Sequence, residues 1–446
     1  MLLAARVENH RSIDAEQELT LVRSGGKSKN IADTDADGKH NHISKLAGIY
    51  GANAAGKSNI LSGIQFMSRA VRRSQQNWDP DGGVPLSPFA FNDETLTVPS
   101  RFEVEILLDS TRYQYGFAAT RDEITSEWLY AYPRGRRRVL FERQSQDNEE
   151  YYFGDSLQGQ NRITASFTRK NSLFLSAAHS FDHDQLSPIA RWISDKLKFA
   201  DPANLPSRLK YTLESLRKDS NLTDIVLRFL QAADLGISGI NIRERQMNDE
   251  QKTQFLRILE AVDPDNFDPK SISDAEFGIQ RDFELEHTCE EPGASKRLPF
   301  TNESTGTKAL LALLGPILHA LRNGHTLFVD EIDTSLHPRL VTEVIRIFQD
   351  AEMNKKEAQL VFTSHDTSVL GMLASDEPLL ERDQIWFVEK GRSGASSLFP
   401  LTDFSPRKLE NIERGYLQGR YGGVPIVSRR GLEMFAQAVE STDNGR

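Results

Sequence analysis

Gly51-Ala52-Asn53-Ala54-Ala55-Gly56-Lys57-Ser58 is the segment whose residue types and spacing point most directly to chemistry. Glycines at both ends let successive backbone N–H groups turn inward around an anion at a helix N-terminus. Lys57 adds charge for the β- and γ-phosphates of a nucleotide, and the Ser58 hydroxyl is a ligand for Mg²⁺. Asn53, Gly56 and Asn59 are read with them as nucleotide contacts. Such a cradle needs a carboxylate for the metal and a base for an attacking water. Thr326-Leu327-Phe328-Val329-Asp330-Glu331 supplies both, with Asp330 on the metal beside Ser58 and Glu331 on the water. A plainer reading has Glu331 capping the next helix.

The elements that must position these groups follow from pattern. Leu46 to Tyr50 is an apolar run that reads as a strand, and a helical pattern begins after Ser58. The loop Ser24 to Asn41, rich in Gly, Lys, Asp and Asn, reads as mobile. Alternation at Phe102–Ile106 and Tyr113–Phe117, with Asp109-Ser110-Thr111-Arg112 between, gives a hairpin in a β-rich arm. From Asp182 to about Glu260 the pattern reads as helical without sustained heptads, which argues against a long coiled-coil arm and leaves room for a short helical hairpin. Strand-like alternation returns at Phe283–His287. The last third alternates helix (309–321, 340–351) and strand (326–329, 359–363), the rhythm of a largely parallel sheet.

Composition bounds the remainder. With 446 residues, 38% hydrophobic and 26% charged, the chain is globular and long enough for two or three compact units. A formal charge of −10 argues against general DNA coating. The lone Cys289 excludes an internal disulfide and fits a reducing, cytoplasmic setting. No stretch reads as a signal peptide or a membrane span. The run Arg134-Gly135-Arg136-Arg137-Arg138 reads as a solvated hairpin, or as a grip on nucleic acid, an acidic protein or a phage mimic of DNA. The pairs Asp79-Pro80-Asp81, Asp182-His183-Asp184 and Asp263-Pro264-Asp265 read as surface turns rather than metal sites.

Asp330-Glu331-Ile332-Asp333-Thr334-Ser335-Leu336-His337-Pro338 resembles the Walker B and D-loop of SMC-like ABC ATPases. Among these it resembles in particular AAA ATPases of bacterial anti-phage (abortive infection) systems, including the ATPase subunit of PARIS-type defence, and the ATPase half of OLD-type nucleases. The resemblance implies an α/β fold: an ABC-type head with a P-loop, a mixed and mainly parallel sheet, a β-rich arm and a helical insertion, divided as 1–180, 181–284 and 285–446. It implies that Asp333 and Ser335 communicate across a dimer interface. Ser304 and Gly306, in Asn302–Lys308, would serve as the signature segment facing another subunit's γ-phosphate, although that segment departs from Leu-Ser-Gly-Gly-Gln. His365, in Leu360–Asp366, would sense the γ-phosphate, and Arg11 and Ser12 would lie near the nucleotide. Tyr416–Pro425 is close to a C-terminal motif of the same proteins, with no role attached to it, and the Q-loop glutamine is not placed. Read without the resemblance, Ser304 is a helix cap and His337-Pro338 merely opens a helix.

The resemblance implies ATP and Mg²⁺ as ligands, ATP hydrolysis, and a homodimer or higher oligomer of heads. It also implies a sensor or scaffold in anti-phage defence that controls a separate toxic effector, a nuclease, in answer to a phage protein or a DNA-like trigger. The alternative is a DNA repair or recombination ATPase. A fused nuclease is disfavoured, because the roughly 80 residues after His365 hold no Asp-x-Asp pair.

Overall fold

The computed structural model describes residues 1–23, 31–33, 42–147, 149–246, 279–289, 295–371, 378–407, 410–424, 429–430 and 433–434. Most of the Ser24–Asn41 loop, the Asp263-Pro264-Asp265 pair and Pro425 lie outside them. The chain forms two compact units, Met1–Pro202 with Leu318–Arg446, and Ala203–Ile317.

The first unit is built on two sheets. One has six strands in the order Leu197–Ala200, Thr326–Val329, Gln359–Ser364, Leu46–Gly51, Ile385–Lys390 and Ser396–Pro400. The first five run parallel and the last is antiparallel. Leu46–Gly51 is buried along its whole length and carries no charge, as a central parallel strand covered on both faces requires. Parallel direction puts the C-terminal ends of these strands on one edge, and that edge is where Gly51, Asp330 and His365 emerge. The other sheet is the expected β arm, seven antiparallel strands ordered Tyr151–Phe153, Arg138–Gln144, Ile124–Tyr132, Thr111–Ala119, Ser100–Leu108, Leu2–Glu8 and Gln17–Thr20. Helix Lys57–Asn77 buries Ile60, Leu61, Ile64, Met67 and Val71. These side chains share one apolar core with Leu2, Phe102 and Phe174 and with Ile49, Phe328 and Val361 of the parallel sheet.

Leu197–Ala200 corrects the reading of 182–260 as helical. It pairs with Thr326–Val329 at the sheet edge, and Phe199 stacks on Phe328 with ring centroids 4.8 Å apart at 9°. Four residues are too short to show a period of their own against the helical pattern around them.

The second unit carries helices Leu205–Lys218 and Ser220–Ala232, the latter capped by Asp219, whose Oδ1 accepts from Leu222 N. A three-stranded antiparallel sheet follows, Ile237–Gln246, Ile279–Thr288 and Ser295–Pro299. The insertion is therefore not purely helical. Ile240 and Ile242 alternate with polar residues, a period-two signal that the preceding helical stretch masked. Residues 285–317, read from sequence with the head, belong to this unit.

The surface motifs take ordinary forms. Asp81 N donates to Asp79 Oδ1 at 3.0 Å in a turn, and Asp182 pairs with Arg191 at 2.8 Å. Arg134, Arg136, Arg137 and Arg138 are exposed at a hairpin of the β arm, with Arg137 stacked 3.8 Å over Tyr130 and paired with Glu142 at 3.2 Å. Among the described residues no helix is long and apolar enough to cross a membrane.

Buried Gln359 joins the two sheets. Its Oε1 accepts from Leu2 N at 2.8 Å and Thr326 Oγ1 at 2.9 Å, and its Nε2 donates to Leu2 O at 2.9 Å and Ser44 O at 3.2 Å. A buried donor or acceptor stripped of its partner costs about 1–3 kcal/mol. Gln359→Leu is therefore expected to destabilise the chain by about 3 kcal/mol or more in urea denaturation; a loss under about 1 kcal/mol would show that this clamp carries little.

Candidate functional site

The loop after Leu46–Gly51 turns on two left-handed residues, Ala54 (φ 62°) and Gly56 (φ 110°), before helix Lys57–Asn77 begins. Only glycine fits at 56, because a Cβ there would stand 2.1 Å from Ser396 Oγ and 2.7 Å from Ser12 Oγ. These two hydroxyls form the floor of the loop. They bond each other at 2.7 Å, Ser396 Oγ donates to Ala55 O at 2.6 Å, and Asn59 Nδ2 donates to Ser12 Oγ at 2.7 Å. Ser12, expected beside a nucleotide, is thus buried under the loop and braces it. The same bond turns the Asn59 side chain toward the floor. Arg11 is exposed on the adjoining turn and does not line the cavity described next.

A cavity of about 700 Å³ is lined by Asn53, Ala54, Ala55, Gly56, Lys57, Ser58, Asn59, Glu331, His365 and Lys390. The Lys57 ammonium donates to Gly51 O at 2.9 Å and Ala52 O at 3.2 Å, and both ring nitrogens of His365 lie 3.2 Å from it. An ammonium only donates, so this contact requires an unprotonated nitrogen on His365. Burial lowers the Lys57 pKa below the ordinary lysine value, while Asp330, Glu331 and Asp333 pull the other way. A phosphate group in the cavity would oppose the burial effect still further.

Asp330 and Glu331 meet at one hydroxyl. Thr363, buried on the neighbouring strand, donates from Oγ1 to Asp330 Oδ1 at 2.6 Å and accepts from Glu331 N at 2.7 Å. Glu331 has φ 51°, a left-handed conformation that costs a non-glycine residue roughly 1–2 kcal/mol and holds only where surrounding bonds fix it. Its carboxylate accepts from Thr334 Oγ1 at 3.0 Å and lies 3.9 Å from His365 Nε2. Glu331 therefore does not cap the following helix. His337 does, accepting at Nδ1 from Arg339 N at 3.2 Å with Pro338 in the first turn. Asp333 Oδ1 accepts from His365 N at 3.2 Å, which links the turn carrying Asp333 and Ser335 to the histidine.

Among the described residues no group of three or more His, Cys, Asp or Glu could hold a metal alone. Mg²⁺ held by one carboxylate, one hydroxyl and substrate phosphates needs no such group. Ser58, exposed in the first helical turn, and Asp330, at a strand end on the same edge, fit that donor set.

Ser304 and Gly306 belong to the second unit and do not line this cavity. Ser304 Oγ accepts from Thr307 N at 3.1 Å, so it serves as a cap for helix Thr305–Asn323. The C-terminal motif gains a structural role. Tyr416 and Tyr421 both stack on Phe387 (5.2 and 5.7 Å), Tyr416 OH donates to Gly423 O at 3.0 Å, and a Cβ on Gly423 would lie 3.7 Å from Gly51 Cα. The motif backs the first glycine of the phosphate loop. Sequence reasoning gave no role to Thr363, Ser396 or Lys390. A hydroxyl two residues before His365 could have marked Thr363; the other two carry no local signal.

The chain belongs to the family described as AAA domain, putative AbiEii toxin, Type IV TA system, whose model matches residues 46–371. Members of this AAA family are ATPases in general, which supports ATPase activity at that coarse level. No curated protein matches the chain significantly. Similar solved structures include the SMC head domain from Thermotoga maritima, at 13% identity and TM-score 0.39, covering 90% of this chain and 98% of that one. They also include an SmcHead bound to the C-winged helix domain of ScpA (15%, 0.36, 89% and 96%). A third is the Smc head domain with a coiled coil and joint from Pyrococcus yayanosii (13%, 0.34, 94% and 99%). At these scores the likeness carries no weight of its own, and the class rests on the family match and the site.

Because Thr363 holds the Asp330 carboxylate and the Glu331 amide, Thr363→Val is expected to lower kcat about 10- to 100-fold while shifting nucleotide Kd less than threefold. Thr363→Ser should restore most of the rate. Steady-state kinetics beside calorimetry check this, and an unchanged kcat in the valine variant would remove the positioning role.

Proposed function

We propose that the chain binds MgATP in the Lys57 cavity and hydrolyses it to ADP and phosphate. The observation that carries this reading is the convergence of Lys57, Glu331 and His365 on one cavity, with Asp330 held at the adjoining strand end. Lys57 and the loop amides hold the phosphates. Glu331 takes the proton of the water that attacks the γ-phosphorus as the bond to the β,γ-bridging oxygen breaks. His365, which lines the same cavity, hydrogen-bonds the γ-phosphate in this reading. Mg²⁺, held by Ser58 and Asp330, supplies charge neutralisation of the phosphate oxygens when bound.

We further propose that two heads act together, Ser304 and Gly306 of one completing the site of another, with Asp333 and Ser335 between them. ATP-driven closure then controls a separate effector, a nuclease, in anti-phage defence. The toxin–antitoxin wording of the family description supports a two-component setting. The same wording attaches the toxin to the AAA domain and favours a second reading, in which this chain itself arrests growth. A DNA repair or recombination ATPase is the alternative kept from the sequence, and no structural observation favours it.

Lys57→Ala is expected to abolish ATP binding in calorimetry, whereas Glu331→Gln retains binding and loses turnover; equal affinity in wild type and Lys57→Ala would refute the site. Mixed oligomers of Lys57→Ala and Ser304→Arg subunits should recover part of the hydrolysis through one intact composite site, and no recovery despite proven mixing would exclude action between subunits. Expressed alone the chain should leave growth unchanged, and phage protection should require its genomic neighbour and an intact Lys57. Growth arrest by the chain alone would select the toxin reading.

A further inference from the structure

Phe91 is 70% exposed, more than any other large apolar side chain among the described residues. Its loop is nonetheless well anchored. Arg11 N donates to Ser87 O at 2.7 Å, Phe89 N donates to Asn9 Oδ1 at 2.9 Å, and Asn92 Oδ1 accepts from Glu94 N at 3.0 Å. Phe91 packs edge-to-face on buried Phe89 at 5.7 Å, and a Cβ on Gly394 would stand 2.9 Å from its ring. One side of the ring is therefore seated, and the remainder faces solvent.

The seat is continuous with the phosphate site. Gly394 lies in the hairpin that two residues later supplies Ser396, the hydroxyl under Ala55 and Gly56. Lys390, at the start of that hairpin, lines the cavity, and its Nζ lies 5.9 Å from the Phe91 ring centroid. An aromatic face and an ammonium thus stand together at the margin of the phosphate cradle. A large apolar ring held in water by a rigid loop gains free energy when apolar surface covers it, and a flat aromatic partner adds stacking to that gain.

We infer that Phe91 and Lys390 form the platform for the nucleobase end of the ligand, with the base stacked on the free face of Phe91. This rests on the reading above that the cavity takes a nucleotide's phosphates. Every base has a π-face, so stacking holds different bases alike and the platform accepts ATP and GTP without strong discrimination. Lys390 both lines the cavity and approaches the ring, so its charge also meets the polyphosphate.

The test uses the full chain with ATP, GTP and inorganic tripolyphosphate, the last having phosphates and no base. Phe91→Ala is expected to weaken ATP and GTP about tenfold and to leave tripolyphosphate affinity within twofold of wild type. Phe91→Trp should show a change in tryptophan emission on adding ATP that wild type lacks, and none on adding tripolyphosphate. Unchanged ATP affinity in Phe91→Ala, or an equal loss for ATP and tripolyphosphate, would overturn the platform. Lys57→Ala should weaken all three ligands together. Failure of the wild-type chain to bind either ATP or tripolyphosphate would overturn the phosphate reading itself, and the platform with it.

Discussion

A side chain at Gly56 would collide with Ser396 Oγ at 2.1 Å, so the phosphate loop keeps its shape only while that position stays bare. From this constraint the other contacts of the site follow. The loop settles onto two serine hydroxyls drawn from distant parts of the chain, Ser12 and Ser396, and the floor they make carries Asn59 and Ala55 O. With the turn fixed, the following helix starts with Lys57 facing back into the loop, where Gly51 O and Ala52 O receive its ammonium. Cradle, lysine and floor are one hydrogen-bonded assembly.

The two carboxylates of the site depend on a parallel device. Asp330 and Glu331 are consecutive, yet they must serve different atoms, and ordinary strand geometry would point them to opposite faces. The left-handed turn at Glu331 changes that geometry, and the Thr363 hydroxyl bonds one residue through its side chain and the other through its amide. A single neutral oxygen thereby registers Asp330 against Glu331, the pair proposed as metal ligand and base. Asp333 and its bond to the His365 amide extend the same registration toward the turn that would meet another subunit.

What could be read from the sequence was what is local. The strand before Gly51, the loop, the helix after Lys57 and the Asp330-Glu331 pair at a strand end are each contiguous, and their periodicities are undisturbed. Thr326–Val329 stands where the alternation placed it. The long-range parts were hidden. Ser396 and Lys390 reach the loop only because a late strand pairs beside Leu46–Gly51, and no spacing in the chain announces that pairing. Leu197–Ala200 was lost in its helical surroundings for want of length, and the sheet of the second unit was obscured by the two helices before it. Ser12 was expected near the nucleotide, and its place beneath the loop, bonded to Asn59 and Ser396, could not be read from spacing.

The central strand also sets a schedule for folding. Leu46–Gly51 has both of its neighbours near the other end of the chain, at Gln359–Ser364 and Ile385–Lys390, and Gln359 Nε2 reaches Ser44 O across 315 residues. At about 5–20 residues per second, a ribosome takes on the order of tens of seconds to make that interval. During this time the hairpins of Ser100–Gln144 can zip up locally, while the strand leading into the phosphate loop remains an unpaired apolar edge. Contacts this distant in sequence make assembly of the parallel sheet slow, and the nucleotide site is therefore among the last parts of the first unit to form.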